Sequence, residues 1–252
     1  MRAKLPKLEE TIYYPESDGK PMAETETHLE LMLDLIHTLR MFFLTDPLVH
    51  VGGNLLMYYI EGNPRKSVAP DVFFVRGMDK AKRDTYLVWK EGRAPDVIME
   101  LTSKSTWRED LQKKWRLYAQ LGVKEYYLYD PLREYPDEPL TAYKLDEEGE
   151  YQTVTTREGR VRSEALGLEL VDTGETLRLY DPAGQQFLPT AREEADRRQR
   201  AEEARQRAEA ERQAEAETRR HVEAQLQGEI EARQRAEAEA ERLRRELGRS
   251  KG

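Results

Sequence analysis

The sequence predicts a mixed α/β domain with core order α-β-β-β-α-β, a β-rich extension and a long C-terminal helical tail. Three observations carry this. Two short apolar segments, Asp71–Val75 and Asp96–Leu101, have the length and composition of buried strands. Two capping-box patterns, Thr27-His-Leu-Glu30 and Thr106-Trp-Arg-Glu109, each open a run with helical spacing. From about Thr190 the chain turns to Ala, Glu, Arg and Gln, which are strong helix formers. At roughly 100–200 residues per domain, a chain of 252 residues holds one packed domain and an appendage, or two small domains.

In chain order, residues 1–20 form an N-terminal arm and residues 21–188 the main domain, with its core at 27–131 and its extension at 138–181. The first helix runs from the Thr27 box to about Leu44, with Leu31, Leu35, Leu39 and Phe42 at helical spacing. Leu48–Ile60, interrupted by Gly52-Gly53, reads as a strand or bent hairpin. EGNPRKSVAP is a loop by its turn residues. The two apolar strands follow, joined by a polar connection from Arg76 to Pro95. The Thr106 box opens a helix to about Leu121, with Gly122 at its C′ position. Glu125–Asp130 is the next strand, and Pro131 stops it. Short strand-like pieces follow at Leu140–Leu145, Tyr151–Thr156, Leu168–Val171 and Leu177–Tyr180.

The tail, 190–248, repeats RQRAE at Arg198, Arg205 and Arg233, spacings that are multiples of a heptad. An apolar seam passes through Val222, Leu226, Leu243 and Leu247 but is broken by charged residues. This leaves a weak coiled coil or a solvated helix held by i,i+4 ion pairs.

Charge separates the two parts. From Ala191 on there are 16 acidic and 16 basic residues, so the net −8 belongs to the first 190 residues. A surface that coats DNA by charge alone needs clustered Lys and Arg, which an acidic domain disfavours. An acidic metal site is not disfavoured. No run approaches a membrane span, and MRAKLPKLEE has no apolar signal region, so a cytoplasmic location is expected. The absence of cysteine rules out disulfides, thiolate metal sites and thiol nucleophiles.

No phosphate-binding or dinucleotide glycine motif is present, no G-x-S-x-G elbow, and no H-x-x-x-H pair. His28, His37, His50 and His221 read as surface or helix-face residues. What remains is acidic. Asp71 opens one apolar strand and Glu100 nearly closes another, positions costly for a carboxylate unless it is paired or metal-bound. Side by side, they suit Mg²⁺ or Mn²⁺, which take oxygen ligands and keep waters for exchange. The alternative is two carboxylates at strand ends in water. Asp110, Lys114 and Tyr118, spaced i, i+4, i+8, lie near one face of the next helix. The short ELTSKST connection brings that helix back toward the acids, so Lys114 can reach them. Two acids and a lysine are the minimal apparatus for metal-dependent phosphodiester cleavage; an Asp110–Lys114 helix pair is the plainer reading, and both can hold.

Pro70-Asp71, Glu100, Ser103-Lys-Ser-Thr106, Asp110, Lys114, Tyr118, Gly122-Val123, Glu125-Tyr126 and Asp130-Pro131 together resemble the Uma-two family. That family consists of restriction-endonuclease-like proteins of the PD-(D/E)XK nuclease superfamily. The resemblance spans about Pro21 to Tyr180 and implies a restriction-endonuclease-like αβββαβ core with a mixed sheet. It implies Asp71 and Glu100 as metal ligands, with the Leu101 carbonyl as a third. In place of the lysine expected two residues after the glutamate, this chain has Thr102. The resemblance puts Lys114 in that role, with Lys113 and Lys104 as weaker substitutes. Glu24 and Glu30 are candidates for an additional acid.

The expected activity is Mg²⁺-dependent (or Mn²⁺-dependent) hydrolysis of DNA phosphodiester bonds by a metal-activated water. Arg65, Lys66, Lys80, Lys82, Arg83, Lys104 and Arg108 are a possible basic strip for DNA. Two other functions stand beside it: an inactive nuclease-fold binding module working through its helical tail, and a hydrolase of another phosphate ester. A homodimer or higher homo-oligomer is expected, with the C-terminal helix able to support it.

Overall fold

The computed structural model describes residues 12–17, 19, 25–103, 106–134 and 138–249, the last seven as backbone only. Glu24 and Lys104 lie outside the described residues, and so do the side chains of Leu243 and Leu247. The chain divides into two compact units after Arg192.

The first unit begins with α1 (Glu26–Phe42). Its cap is Thr25, not Thr27 as the sequence pattern suggested: Thr25 has extended backbone, and its hydroxyl accepts the His28 N–H at 3.2 Å. Thr27 is already helical and cannot take the extended geometry that a cap requires. The helix buries Leu31, Leu35 and Leu39, while Phe43 rather than Phe42 packs inward.

The elements that follow are β1 (Val49–Gly52), β2 (Met57–Tyr58), β3 (Ser67–Val68), β4 (Val72–Arg76), β5 (Tyr86–Leu87), α2 (Val88–Glu91) and β6 (Val97–Leu101). Then come α3 (Trp107–Glu109), a π-helical turn at Asp110–Lys114, α4 (Trp115–Leu121), β7 (Glu125–Tyr129), β8 (Leu140–Leu145) and β9 (Tyr151–Val154). The main sheet has the order β1-β4-β6-β7-β8-β9. Only β6 and β7 run parallel, because α3–α4 returns the chain to the same end of the sheet between them. With α1 in front, this is the αβββαβ order, in a mixed sheet.

Three details depart from the sequence expectation. Leu48–Ile60 is divided, since β1 joins the main sheet and β2 pairs with β3 and β5 in a small separate one. The division falls at Gly52-Gly53. A Cβ on Gly52 would sit 2.4 Å from the Phe73 ring, and one on Gly53 would sit 2.1 Å from the Asp71 carbonyl oxygen. The polar connection after Arg76 contains β5 and α2. The extension also splits: β8 and β9 widen the main sheet, while β10 (Arg160–Arg162), β11 (Glu169–Asp172), β12 (Leu177–Asp181) and β13 (Gln186–Phe187) form a four-stranded antiparallel sheet.

Strand alternation sorts the core into two faces. Val72, Phe74, Val97, Met99 and Leu101 pack with α1 and the β10–β13 sheet. Phe73, Val75, Ile98 and Tyr126 pack with Tyr118 of α4 and with Val123. Glu100 follows Ile98 in phase, so it points to the α4 side. Beyond the core, the buried Glu125 carboxylate accepts hydrogen bonds from the hydroxyls of Tyr127 and Ser163 and from the backbone of Glu164 and Ala165, tying β7 to the segment before β11.

The second unit, from Glu193 on, holds nearly all of α5 (Ala191–Arg249), whose 59 residues at about 1.5 Å each extend about 88 Å. Val222, Leu226 and Ile230 form an exposed apolar row along it. Ion pairs such as Arg219–Glu223 (2.9 Å) and Arg233–Glu237 (3.0 Å) flank that row. No helix among the described residues is long and apolar enough to cross a membrane.

Candidate active site

Asp71 immediately precedes β4, and Glu100 lies in β6. The register Val72↔Met99 carries one step on to make Asp71 and Glu100 neighbours across the strand pair. The Asp71 N–H points to Glu100 Oε2 at 3.4 Å, and Asp71 Oδ2 accepts the Leu101 N–H at 2.7 Å. Glu100 is only 1% exposed.

The π turn brings the third and fourth members. Lys114 Nζ lies 3.0 Å from Glu100 Oε2 and 2.9 Å from Asp110 Oδ1. The Asp110 carbonyl accepts the Trp115 N–H, the five-residue bond of a π turn, together with the Tyr126 hydroxyl at 3.1 Å. One helical turn later, the buried Tyr118 hydroxyl donates to Glu100 Oε1 at 2.6 Å. Short π-helical segments inside helices are rare and concentrate at functional sites.

Asp71, Glu100, Asp110, Lys114 and Tyr118 therefore form one connected cluster. Glu30 does not join it, being exposed on α1. Thr102 is buried, and its hydroxyl has no hydrogen-bond partner among the described residues. The helix opened at Thr106 has no side-chain cap from that residue; Thr106 accepts the Ser103 N–H instead, at 3.1 Å.

One member was not expected. His28, read from sequence as a surface or helix-face residue, is 4% exposed, and its Nε2 stands 3.3 Å from Asp71 Oδ1. It sits in the first turn of α1, and the helix packs that turn against the start of β4. The sequence signal was its place within the capping pattern, on the side of Leu31 and Leu35. His50 is buried as well, beside Arg83.

The electrostatics follow from burial. Burial pushes the Glu100 carboxyl up to about 8; Lys114 opposes this, while the nearby Asp71 and Asp110 carboxylates add to it. For Lys114, burial favours the neutral amine, but Glu100, Asp110 and Asp71 outweigh it and hold the ammonium charged. Burial, then the charge of Glu100, raises the Tyr118 hydroxyl, which stays a hydrogen-bond donor.

The donor set fits a hard divalent cation. No group of three or more His, Cys, Asp or Glu side chains among the described residues forms a ready cage. A cation would rest on two carboxylates, a backbone carbonyl and water, which suits the loosely held, water-rich coordination of Mg²⁺. Each carboxylate has about four lone-pair sites. With the contacts above subtracted, Glu100 Oε1 and both Asp71 oxygens keep capacity for a ligand. Two or three carboxylates crowded in a dry site are also what a cation relieves.

The mixed sheet and its flanking helices place the chain in the α/β class, with an αβββαβ core. Residues 4–175 match Uma2, a family described as putative restriction endonuclease, and the chain belongs to that family. A solved structure described as a putative nuclease belonging to DUF820, from Anabaena variabilis, is 16% identical. It covers 58% of this chain and 76% of its own, with a TM-score of 0.42. No curated protein matches the chain.

Proposed function

We propose that the protein is a Mg²⁺-dependent (or Mn²⁺-dependent) endonuclease that hydrolyses DNA phosphodiester bonds, with Asp71, Glu100 and Lys114 as its catalytic residues. One observation supports this above the others: Lys114 is held between Glu100 and Asp110, with Asp71 across the strand pair. Asp71, Glu100 and the Leu101 carbonyl would hold the cation. Because the N–H and C=O of one strand residue leave on the same side, the Leu101 carbonyl faces the edge where its N–H meets Asp71. When bound, the cation supplies Lewis acidity toward a phosphate oxygen and lowers the pKa of water.

The chain's own residues do the rest. Lys114 presents a permanent ammonium donor that orients the attacking water and offsets charge developing on the phosphate. Asp110 sets the direction of that ammonium and Tyr118 that of the Glu100 carboxylate. His28 positions Asp71 from the opposite side. The nuclease acts as a homodimer in the cytoplasm, with the Val222, Leu226 and Ile230 row of α5 as the self-association surface.

The test is cleavage of plasmid and oligonucleotide DNA with Mg²⁺ or Mn²⁺, comparing wild type with Glu100→Gln and Lys114→Met. Metal-dependent cutting lost in both variants supports the proposal. Wild type that binds the cation and DNA but never cuts overturns it. That result favours a non-catalytic module, to which the exposed apolar row on α5 already points. Sedimentation of full-length Leu226→Glu/Ile230→Glu, expected to lose self-association, tests the dimer.

A further inference from the structure

A cleft of about 580 Å³ lies along β1, the edge strand of the main sheet. Phe43, Val49, Val51 and Leu55 form its apolar floor, and Arg40, Lys80, Lys82 and Arg83 contribute cations, against one acid, Asp84. Its charge is opposite to that of the acidic domain around it.

Most of these cations carry uncompensated charge. Arg40 donates from Nε and Nη2 to the Val51 carbonyl at 3.0 and 2.9 Å. Lys80 Nζ donates to the carbonyls of Phe43 and Leu44, just past the end of α1, at 2.7 Å each. Lys82 is exposed. None of the three has an ion-pair partner among the described residues. Only Arg83 is paired, with Asp79 and Glu91. Neutral carbonyls therefore hold Arg40 and Lys80 in place while their charge and remaining donors stay available. A cleft of one sign with an apolar floor focuses its field on an incoming ligand. Burial, with Arg83 and Arg40 reinforcing it, keeps the His50 imidazole of β1 easier to deprotonate than an ordinary histidine, in keeping with that field.

The cleft also leads to the acid cluster. Gly53 lines it and packs against the Asp71 carbonyl, so one wall ends at the metal-site strand. From Val49 to Gly53, four strand steps cover about 13 Å. At about 3.4 Å of helix axis per nucleotide, that is the rise of about four nucleotides of one duplex strand.

We propose that this cleft binds the phosphodiester backbone of a nucleic-acid strand beside the bond to be cut. The proposal rests on the nuclease reading and names where the substrate is gripped.

The experiment is fluorescence anisotropy of labelled single- and double-stranded DNA oligonucleotides with the full chain in EDTA, across a salt series. The proteins are wild type, Lys82→Gln, Lys82→Glu and, as a control outside the cleft, Lys144→Gln. Circular dichroism checks that each is folded. Expected is about fivefold weaker binding for Lys82→Gln, with a log affinity against log salt slope lower by about 0.9 on duplex. Lys82→Glu should be weaker still, and Lys144→Gln should match wild type. Wild-type affinity and slope in both Lys82 variants, while wild type binds and cuts, would overturn the cleft and leave the nuclease standing. Displacement of the oligonucleotide by inorganic phosphate as effectively as by unlabelled DNA would reduce the cleft to a lone anion site and overturn the strand proposal. Wild type that binds no nucleic acid at all would overturn both.

Discussion

Lys114 Nζ stands 3.0 Å from Glu100 and 2.9 Å from Asp110, so one ammonium is held between two carboxyl groups that are each only 1% exposed. Breaking a buried ion pair by removing one partner is costly because the other charge is stranded. Lys114→Met is therefore expected to destabilise the fold by about 3 kcal/mol. Adding Asp110→Asn should recover part of that loss without restoring cleavage. Urea unfolding of the two single variants and the double variant measures the coupling. Additive losses would show that the three groups do not act together.

The pH dependence of stability is set by Glu100. In the folded protein its carboxyl holds its proton up to about 8, against 4.5 for an ordinary glutamate, chiefly because it is buried. Folding thus takes up a proton between those values. The contribution of the neutral acid is complete below about 4.5 and drains away as pH rises through 8. Glu100→Gln has no proton to lose. In EDTA its melting temperature should gain on wild type steadily from pH 5 to 8 and level off above. If the gain reaches about 2 kcal/mol, it corresponds to roughly 4–8 °C for a domain of this size. A constant offset at all pH values would refute the shift.

Metal binding should show the same proton. Cation ligands must be deprotonated, so Mg²⁺ or Mn²⁺ affinity is expected to climb between pH 6 and 8.5 in wild type. Isothermal titration should show little binding by Asp71→Ala/Glu100→Ala at any pH.

Tyr118→Phe removes the 2.6 Å hydrogen bond to Glu100 and leaves the ring packed against Tyr126. The cost to stability is expected to be about 1 kcal/mol, the scale of one hydrogen bond between neutral groups. The larger effect should be weaker cation affinity, since Glu100 then ionises less readily.

His28→Ala should weaken cation binding through Asp71, about tenfold on the scale of groups that orient metal ligands. His28→Asn can offer Asp71 an amide N–H and should restore part of that affinity. Equal loss in both variants would reduce His28 to a packing residue.

Much of the fold is legible in the sequence because the β4 and β6 segments are short apolar runs between clear breaks. The acid cluster is legible for a related reason. Asp71 and Glu100 are carboxylates in segments that otherwise repel them, and Asp110, Lys114 and Tyr118 repeat at helical spacing. His28 is only partly legible: it shares the side of Leu31 and Leu35, but its contact with Asp71 depends on how α1 packs against the start of β4. Thr25 is obscured because Thr27, two residues on, is the one followed three positions later by a glutamate. The cleft along β1 is legible in part: Lys80, Lys82 and Arg83 belong to the basic strip read from the sequence, but Arg40 is remote from them in the chain, and only the edge strand brings it to them.

The π turn has a consequence for how this site tolerates change in chain length. A π turn holds one more residue than the α-helical turn it replaces. Asp110 and Lys114 both lie inside it, and the bond from Trp115 to Asp110 closes it. Loss of a single residue just after the turn, Arg116 for example, would rotate the upstream part by about 100° relative to Tyr118 unless the turn gave up its extra residue. Every side chain needed for the chemistry would still be encoded, but without that adjustment Asp110 and Tyr118 would lose their present alignment. The spare residue in this helix acts as a phase setting: it aligns a lysine from the helix with a glutamate from the strand, where Thr102 now occupies the position from which a strand lysine would point.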